Sequence, residues 1–182
     1  GLTAANGFAD QADVLIRTRM AADAVGATRL HRPEWVAVHP HTGDVFETLT
    51  NGSGNGASVN SHRNPNPYGH IVRFSESRTD DTAFSWDIFL LAGDPSYDAN
   101  VPPDQPVFGS PDGIWVDPSG IVWIQTDISN SSQNRADRGY DGIGNNAMLA
   151  AVPETGELKR FMTGPRGCEI TGVVMTPDQR TM

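Results

Sequence analysis

One unit recurs along the chain: a short strand of alternating apolar residues, a proline-containing turn usually closed by glycine, and a second strand. It occurs at 32–51 (RPEWVAVHPHTGDVFETLTN), 110–127 (SPDGIWVDPSGIVWIQTD), 145–164 (NNAMLAAVPETGELKRFMTG) and from 168 onward (CEITGVVMTPDQRTM). Alternation with period two suits a half-buried strand, and Pro and Gly supply the turn dihedrals. Helical spacing is confined to QADVLIRTRMAADAVGA, residues 11–27, where a short helix is expected to stop at Gly26. The chain therefore reads as all-β. A second kind of strand pair lies between the hairpins: NPYGHIVRFSE with FSWDIFLLAGD, and again MLAAVPETGELKRFMTG. A hairpin plus such an outer pair makes a four-stranded blade, which predicts a partial β-propeller of about two to three blades. A two-sheet sandwich is the alternative architecture. Residues 1–28 are read as a connecting segment and 29–182 as blades of one single fragment. The stretch VVMTPDQRTM is expected to begin a third blade. Its half-built hairpin suggests a piece of a longer protein.

Composition narrows the function classes. There are 22 acidic against 13 basic residues in 182, a formal net charge of −9. That argues against a nucleic-acid partner, which needs a basic face, and fits cation binding or simple solubility. The single cysteine, Cys168, excludes an intrachain disulfide framework and a cysteine-rich zinc site. No apolar run approaches the roughly 18 residues needed to span a bilayer, so no membrane partner is expected. The first residues lack the basic and apolar regions of a signal peptide.

The acids fall in register with the hairpins. Glu34 precedes Pro40 by six positions, as Asp112 precedes Pro118; Glu169 precedes Pro177 by eight, with Thr171-Gly172 as an insertion. All three stand just before the first strand of their hairpin. In a propeller that strand lines the channel, so three blades would bring three carboxylates to one mouth. The second strand returns antiparallel to the same mouth, ending at Asn51 in one hairpin and Asp127 in another. Converging carboxylates repel unless a cation compensates them or some take up protons. Oxygen-rich clusters suit hard ions such as Ca²⁺, Mn²⁺ or ferric iron. The plain alternative is that each acid merely caps a turn.

The blocks RPEW, TLTN, NPYGHIVR, WDIFLLAGDP, FGSPDGIWVDPSGIVWIQTD, GNNAMLAAVPETGELKRFMTGPRGCEITG and TPDQRTM resemble, in order and spacing, consecutive segments of the PhoX-type bacterial alkaline phosphatases. The likeness runs from about Arg29 to the end. It implies a six-bladed propeller of which this chain is a part, and hydrolysis of phosphate monoester substrates at a cluster of Ca²⁺ and Fe³⁺ at the channel mouth. It further implies export by the twin-arginine route, hence a periplasmic or secreted parent protein. By the same resemblance Glu34 and Glu169 would be metal ligands. Asp112 and Asn51 would stand as calcium ligands or groups behind them, and Arg166 would clamp phosphate oxygens. The family's cysteine ligand falls in an N-terminal part outside this chain, leaving Cys168 either a metal contact or a small neighbour of Glu169. Further ligands would also come from outside the chain, so the isolated fragment is expected to be inactive.

Other candidates carry plainer alternatives. NGSGNGAS, 51–58, lacks the Lys-Ser/Thr of a phosphate-binding loop and reads as a loop near the mouth. His62, Arg63, Asn66 and His70 belong to a segment that could contact substrate phosphate or simply be solvated. His39 and His41 lie at the far end of their strand from Glu34. DRGYDGIGNN, 137–146, is polar but lacks an EF-hand pattern. The four tryptophans read as blade packing. Lactonase-type propellers also place acids around a divalent ion, so a lactonase-like hydrolase or a non-catalytic binding scaffold stays open beside the phosphatase. Exposed blade edges would allow self-association.

Overall fold

A computed structural model describes residues 2, 4–54, 59–60, 62–77 and 80–182. Two short helices, α1 (Gln11–Ile16) and α2 (Thr18–Ala24), precede eight strands. The strands are β1 (Pro33–Val38), β2 (Val45–Leu49), β3 (His70–Ser77), β4 (Asp80–Leu91), β5 (Pro111–Val116), β6 (Val122–Thr126), β7 (Ala147–Val152) and β8 (Glu157–Thr163). They form two antiparallel sheets of four, in the orders β1-β2-β3-β4 and β5-β6-β7-β8. Each sheet is a blade, with the predicted hairpin as its inner pair and the predicted second pair outside it. The single helix expected over 11–27 is two: Asp10 caps α1 by accepting the Asp13 N–H at 2.9 Å. Arg17 then leaves helical dihedrals, and its guanidinium folds back on Asp13 and the Gly7 carbonyl.

The strand pair expected from 168 onward is a correction. Residues 164–182 hold no strand; two backbone bonds, from the Thr176 N–H to the Thr181 carbonyl and from the Gln179 N–H to the Thr176 carbonyl, both at 2.8 Å, close the Pro177-Asp178 turn. A strand persists through its ladder, and beyond Gly164 this segment has only the long Ile170 N–H to Thr126 carbonyl bond, 3.5 Å, to the neighbouring backbone among the described residues.

The core lies along the seam where the blades meet. Phe46 and Ile71 from the first blade and Ile124 and Leu149 from the second are fully buried there. Each such side chain contributes roughly 1.5–3 kcal/mol. The seam is tied at both ends. At the turn end the His41 Nε2–H donates to the Pro118 carbonyl (2.8 Å), and the His39 ring packs on Gly120. At the other end the Thr48 hydroxyl donates to the Asp112 carbonyl at 2.6 Å. Beside Ser110 at that same end Tyr68 meets Tyr140 edge-on, 5.3 Å between centroids. Tryptophan packing is only partly as expected: Trp123 is buried against Phe161, but Trp35 and Trp86 are 46% and 51% exposed. Val36, Val38 and Trp86 stand on the face of the first blade that points away from the second. Among the described residues no helix is long and apolar enough to cross a membrane.

Candidate active site

The mouth end of the two hairpins is built by one backbone device. Arg32 and Ser110 both take left-handed dihedrals, at φ 51 and 55, immediately before Pro33 and Pro111. Proline opens each strand because it has no N–H to give the ladder. The left-handed residue offers its carbonyl to the returning strand: Thr50 N–H donates to the Arg32 carbonyl at 3.1 Å, and Asp127 N–H to the Ser110 carbonyl at 2.9 Å. The register then slips by one residue, between Pro33 and Val36 and between Pro111 and Ile114. Glu34 and Asp112 sit in these bulges, which re-aim side chains out of the ladder. Each left-handed non-glycine residue costs on the order of 1–3 kcal/mol, a strain that concentrates at functional sites. Glu169 has the same lead-in without a strand: Gly167 is left-handed at φ 84, two positions before the acid.

Asp112 feels both its burial and the other acids. Asp112 is pushed up to about 6, first by burial and then by the charges of Glu34, Asp127 and Glu169, with Arg32 opposing. Arg32 pairs with Glu34 at 3.2 Å and reaches the Asn51 amide oxygen at 3.5 Å. Four carboxylates thus share one end with Arg32 as the cation beside them, a charge balance and an oxygen donor set that suit a hard cation. Among the described residues, however, no three His, Cys, Asp or Glu side chains stand close enough together to hold a metal by themselves. The residues fit as part of a ligand set. Arg166 is exposed in the turn between Pro165 and Gly167, and among the described residues no carboxylate pairs with it.

Several expectations need adjustment. Glu34 and Asp112 are the second residues of β1 and β5 and do not precede them. The counterpart of Asp127 is Thr50, since these two make the matching backbone bonds; Asn51 lies one position further, in a cleft beside Arg29, His31 and Arg32. Cys168 is half-buried, with its sulfur seated against Gly164. Arg63 is neither solvated nor turned to the mouth. It is 2% exposed, pairs with Asp98 at 3.0 Å, and donates to the Gly69 (2.9 Å) and Ala92 (2.5 Å) carbonyls. His70 is also buried; its Nδ1 accepts from Asn66 at 2.6 Å, and burial beside Arg63 and His31 lowers it to about 4. Neither histidine of the 39–41 turn is near the acids. His39 Nδ1 accepts the His41 and Thr42 N–H groups, so it caps its turn as Asp117 caps the other. In 137–146, Asp137 pairs with Arg135 while Tyr140 and Ile143 enter the core. Residues 55–58 of the glycine-rich stretch lie outside the described residues.

Sequence reasoning missed Arg32, Gln133 and Asn146. Asn146, fully buried, donates to the Cys168 and Ile128 carbonyls (2.8 and 3.0 Å) and accepts from the Ile128 N–H (2.6 Å) and the Thr126 hydroxyl (3.0 Å). Gln133, also buried, accepts the Gly167 N–H at 3.0 Å and donates to the Cys168 and Ile128 carbonyls, both at 3.1 Å. Only Arg32 left a signal, as the residue before proline and two before the acid.

An all-β pair of propeller blades with acids gathered at one end is the class that fold and site define. The family model for alkaline phosphatase PhoX matches residues 2–182. Pseudomonas fluorescens PhoX in complex with vanadate, a transition state analogue, is 46% identical with a TM-score of 0.84 over 99% of this chain. The chain spans 33% of the length of that structure. No curated protein matches. The chain belongs to the PhoX alkaline phosphatase family.

Proposed function

We propose that this chain is the part of a metal-dependent phosphomonoesterase that carries one wall of its active site. The observation that carries this reading is that the matching bulges of β1 and β5 bring Glu34 and Asp112 to one end, where Asp112 is pushed up to about 6 first by burial and then by the charges of Glu34, Asp127 and Glu169. Membership of the PhoX family supports the reaction class, and the similar Pseudomonas structure is a complex with vanadate, a transition state analogue. Glu34, Glu169 and Asp112 would hold cations, with Asn51 beside them; calcium and ferric iron are the proposed ions. When bound, such ions neutralise the phosphate and the charge that develops as the ester bond breaks. Arg166 is free to bind and orient the phosphoryl oxygens through its forked donors. Arg32 holds Glu34 by an ion pair and tempers the charge on Asp112. The full-length protein is assigned to the periplasm or exterior, which cell fractionation would check.

The test uses the full-length protein: elemental analysis and hydrolysis of an aryl phosphate, for wild type, Glu34→Ala and Glu169→Ala. Calcium and iron in the wild type, and loss of both metal and turnover in the variants, are expected. Full activity in both variants would return the acids to the role of turn caps. Opening of a lactone, without phosphate release, would point to the lactonase-like alternative.

A further inference from the structure

We infer that Gln133 and Asn146 are positioning residues that set the reach between Asp127 and Glu169 and aim Arg166. The inference rests on the reading of Glu169 and Arg166 as active-site groups. The segment from Gly164 to Gly172 bears both residues, yet it forms no strand; its backbone bonds to the blade are only the Gly164 N–H to the Asn146 carbonyl at 2.8 Å and the Ile170 N–H to the Thr126 carbonyl at 3.5 Å. Two buried side-chain amides take the place of a ladder. The Cys168 carbonyl, next to Glu169, accepts from Asn146 Nδ2 at 2.8 Å and from Gln133 Nε2 at 3.1 Å. The same two nitrogens donate to the Ile128 carbonyl, next to Asp127, at 3.0 and 3.1 Å. Each amide therefore bridges the residue after one acid to the residue before the other. Gln133 also accepts the Gly167 N–H, so it grips the peptide units on both sides of the Gly167-Cys168 linkage, between Arg166 and Glu169. Every polar atom of the two amides is used, which fixes their orientation.

Neutral amides suit this place. A lysine or arginine doing the same work would compensate the carboxylates and weaken their demand for a cation; an acid would add repulsion. Fully satisfied buried amides hold geometry without changing the charge. Replacing groups that orient metal ligands typically costs 10–100-fold in metal affinity or activity.

The test is made in the full-length protein with Gln133→Met, which keeps the length of the side chain and removes the amide. Gln133→Glu is its companion and keeps the acceptor for Gly167 while losing both donors. Four quantities are read: the melting temperature, amide exchange at Gly167 in the metal-free protein, calcium affinity by titration with calcium alone, and kcat and KM on an aryl phosphate. For Gln133→Met we expect faster Gly167 exchange and about tenfold weaker calcium binding or slower turnover. Gln133→Glu should preserve Gly167 protection but not calcium affinity. Wild-type calcium affinity and kinetics in Gln133→Met, with or without a lower melting temperature, would overturn the inference and leave the residue merely structural. Glu169→Gln is run alongside. If it keeps metal and activity, the reading of the site itself has failed and the inference falls with it, a result distinct from failure of Gln133 alone. If Gln133→Met does not fold, the contrast between Gln133→Glu and wild type decides.

Discussion

Asp112 is the acid of the mouth whose carboxyl is pushed up, first by burial and then by its neighbours. Its carboxyl is held at about 6, so without metal it costs the fold something once ionised. The stabilising, protonated form is fully present below the ordinary range near 3.8 and is lost as pH rises through about 6. In chelator, the wild type should therefore lose melting temperature between pH 4 and pH 6.5 by more than Asp112→Asn does; equal pH profiles would refute this. Arg63 is the second residue with a clear expectation. It is buried with Asp98 and two carbonyls, so Arg63→Ala strands a carboxylate and should cost about 3–5 kcal/mol, read by chemical denaturation. The shared placement of Glu34 and Asp112 was legible from spacing, because each stands six residues before the proline of its turn; Glu169 stands eight before Pro177 and has no hairpin to measure along. Gln133 and Asn146 were not. Their importance lies in meeting Cys168, which is 35 and 22 positions away, and no local pattern announces such an encounter. Arg63 was misread for a related reason: charge in a loop suggests solvent until a buried partner is known.

At the scale of elements, the hairpins were readable because alternation and turn chemistry agree. The pair expected from 168 onward was not, because a strand's existence depends on partners that local sequence does not contain. The bulges and left-handed lead-ins escaped notice for a different reason: the residue before proline ordinarily avoids such dihedrals. Glycines test this level of structure. Gly69 is left-handed at φ 82, and a methyl group there would collide with the Leu49 and Thr50 carbonyls where β2 gives way to β3. Gly156, in the β7–β8 turn, is equally left-handed at φ 71 but faces open space. Gly156→Ala should cost about 1–2 kcal/mol of conformational strain alone. Gly69→Ala should cost clearly more and weaken the first blade. Equal losses in thermal melts would contradict the collision.

The whole molecule presents an apolar side. Val36, Val38, Phe84 and Trp86 are exposed on the first blade, and a cleft of about 340 Å³ lined by Leu30, Glu47, Phe74 and Trp86 lies among them. An uncovered face of this kind favours association. The isolated 182-residue chain should form concentration-dependent oligomers in light-scattering chromatography, reduced by Val38→Lys with Trp86→Glu. It should also show no aryl phosphatase turnover with calcium and iron, since the described acids do not close a metal site alone. The seam that joins the blades has a consequence in time. The bond from Thr48 to Asp112 closes over 64 residues, whereas each hairpin closes over a handful. Distant contacts must meet the entropy of a long loop and form late. The blades therefore take shape first, and the carboxylates encounter one another only as the seam shuts. Their repulsion then opposes the last step of assembly, so refolding in chelator should slow from pH 5 to pH 8. In the full-length protein, where the rest of the proposed ligand set is present, added calcium should restore the speed.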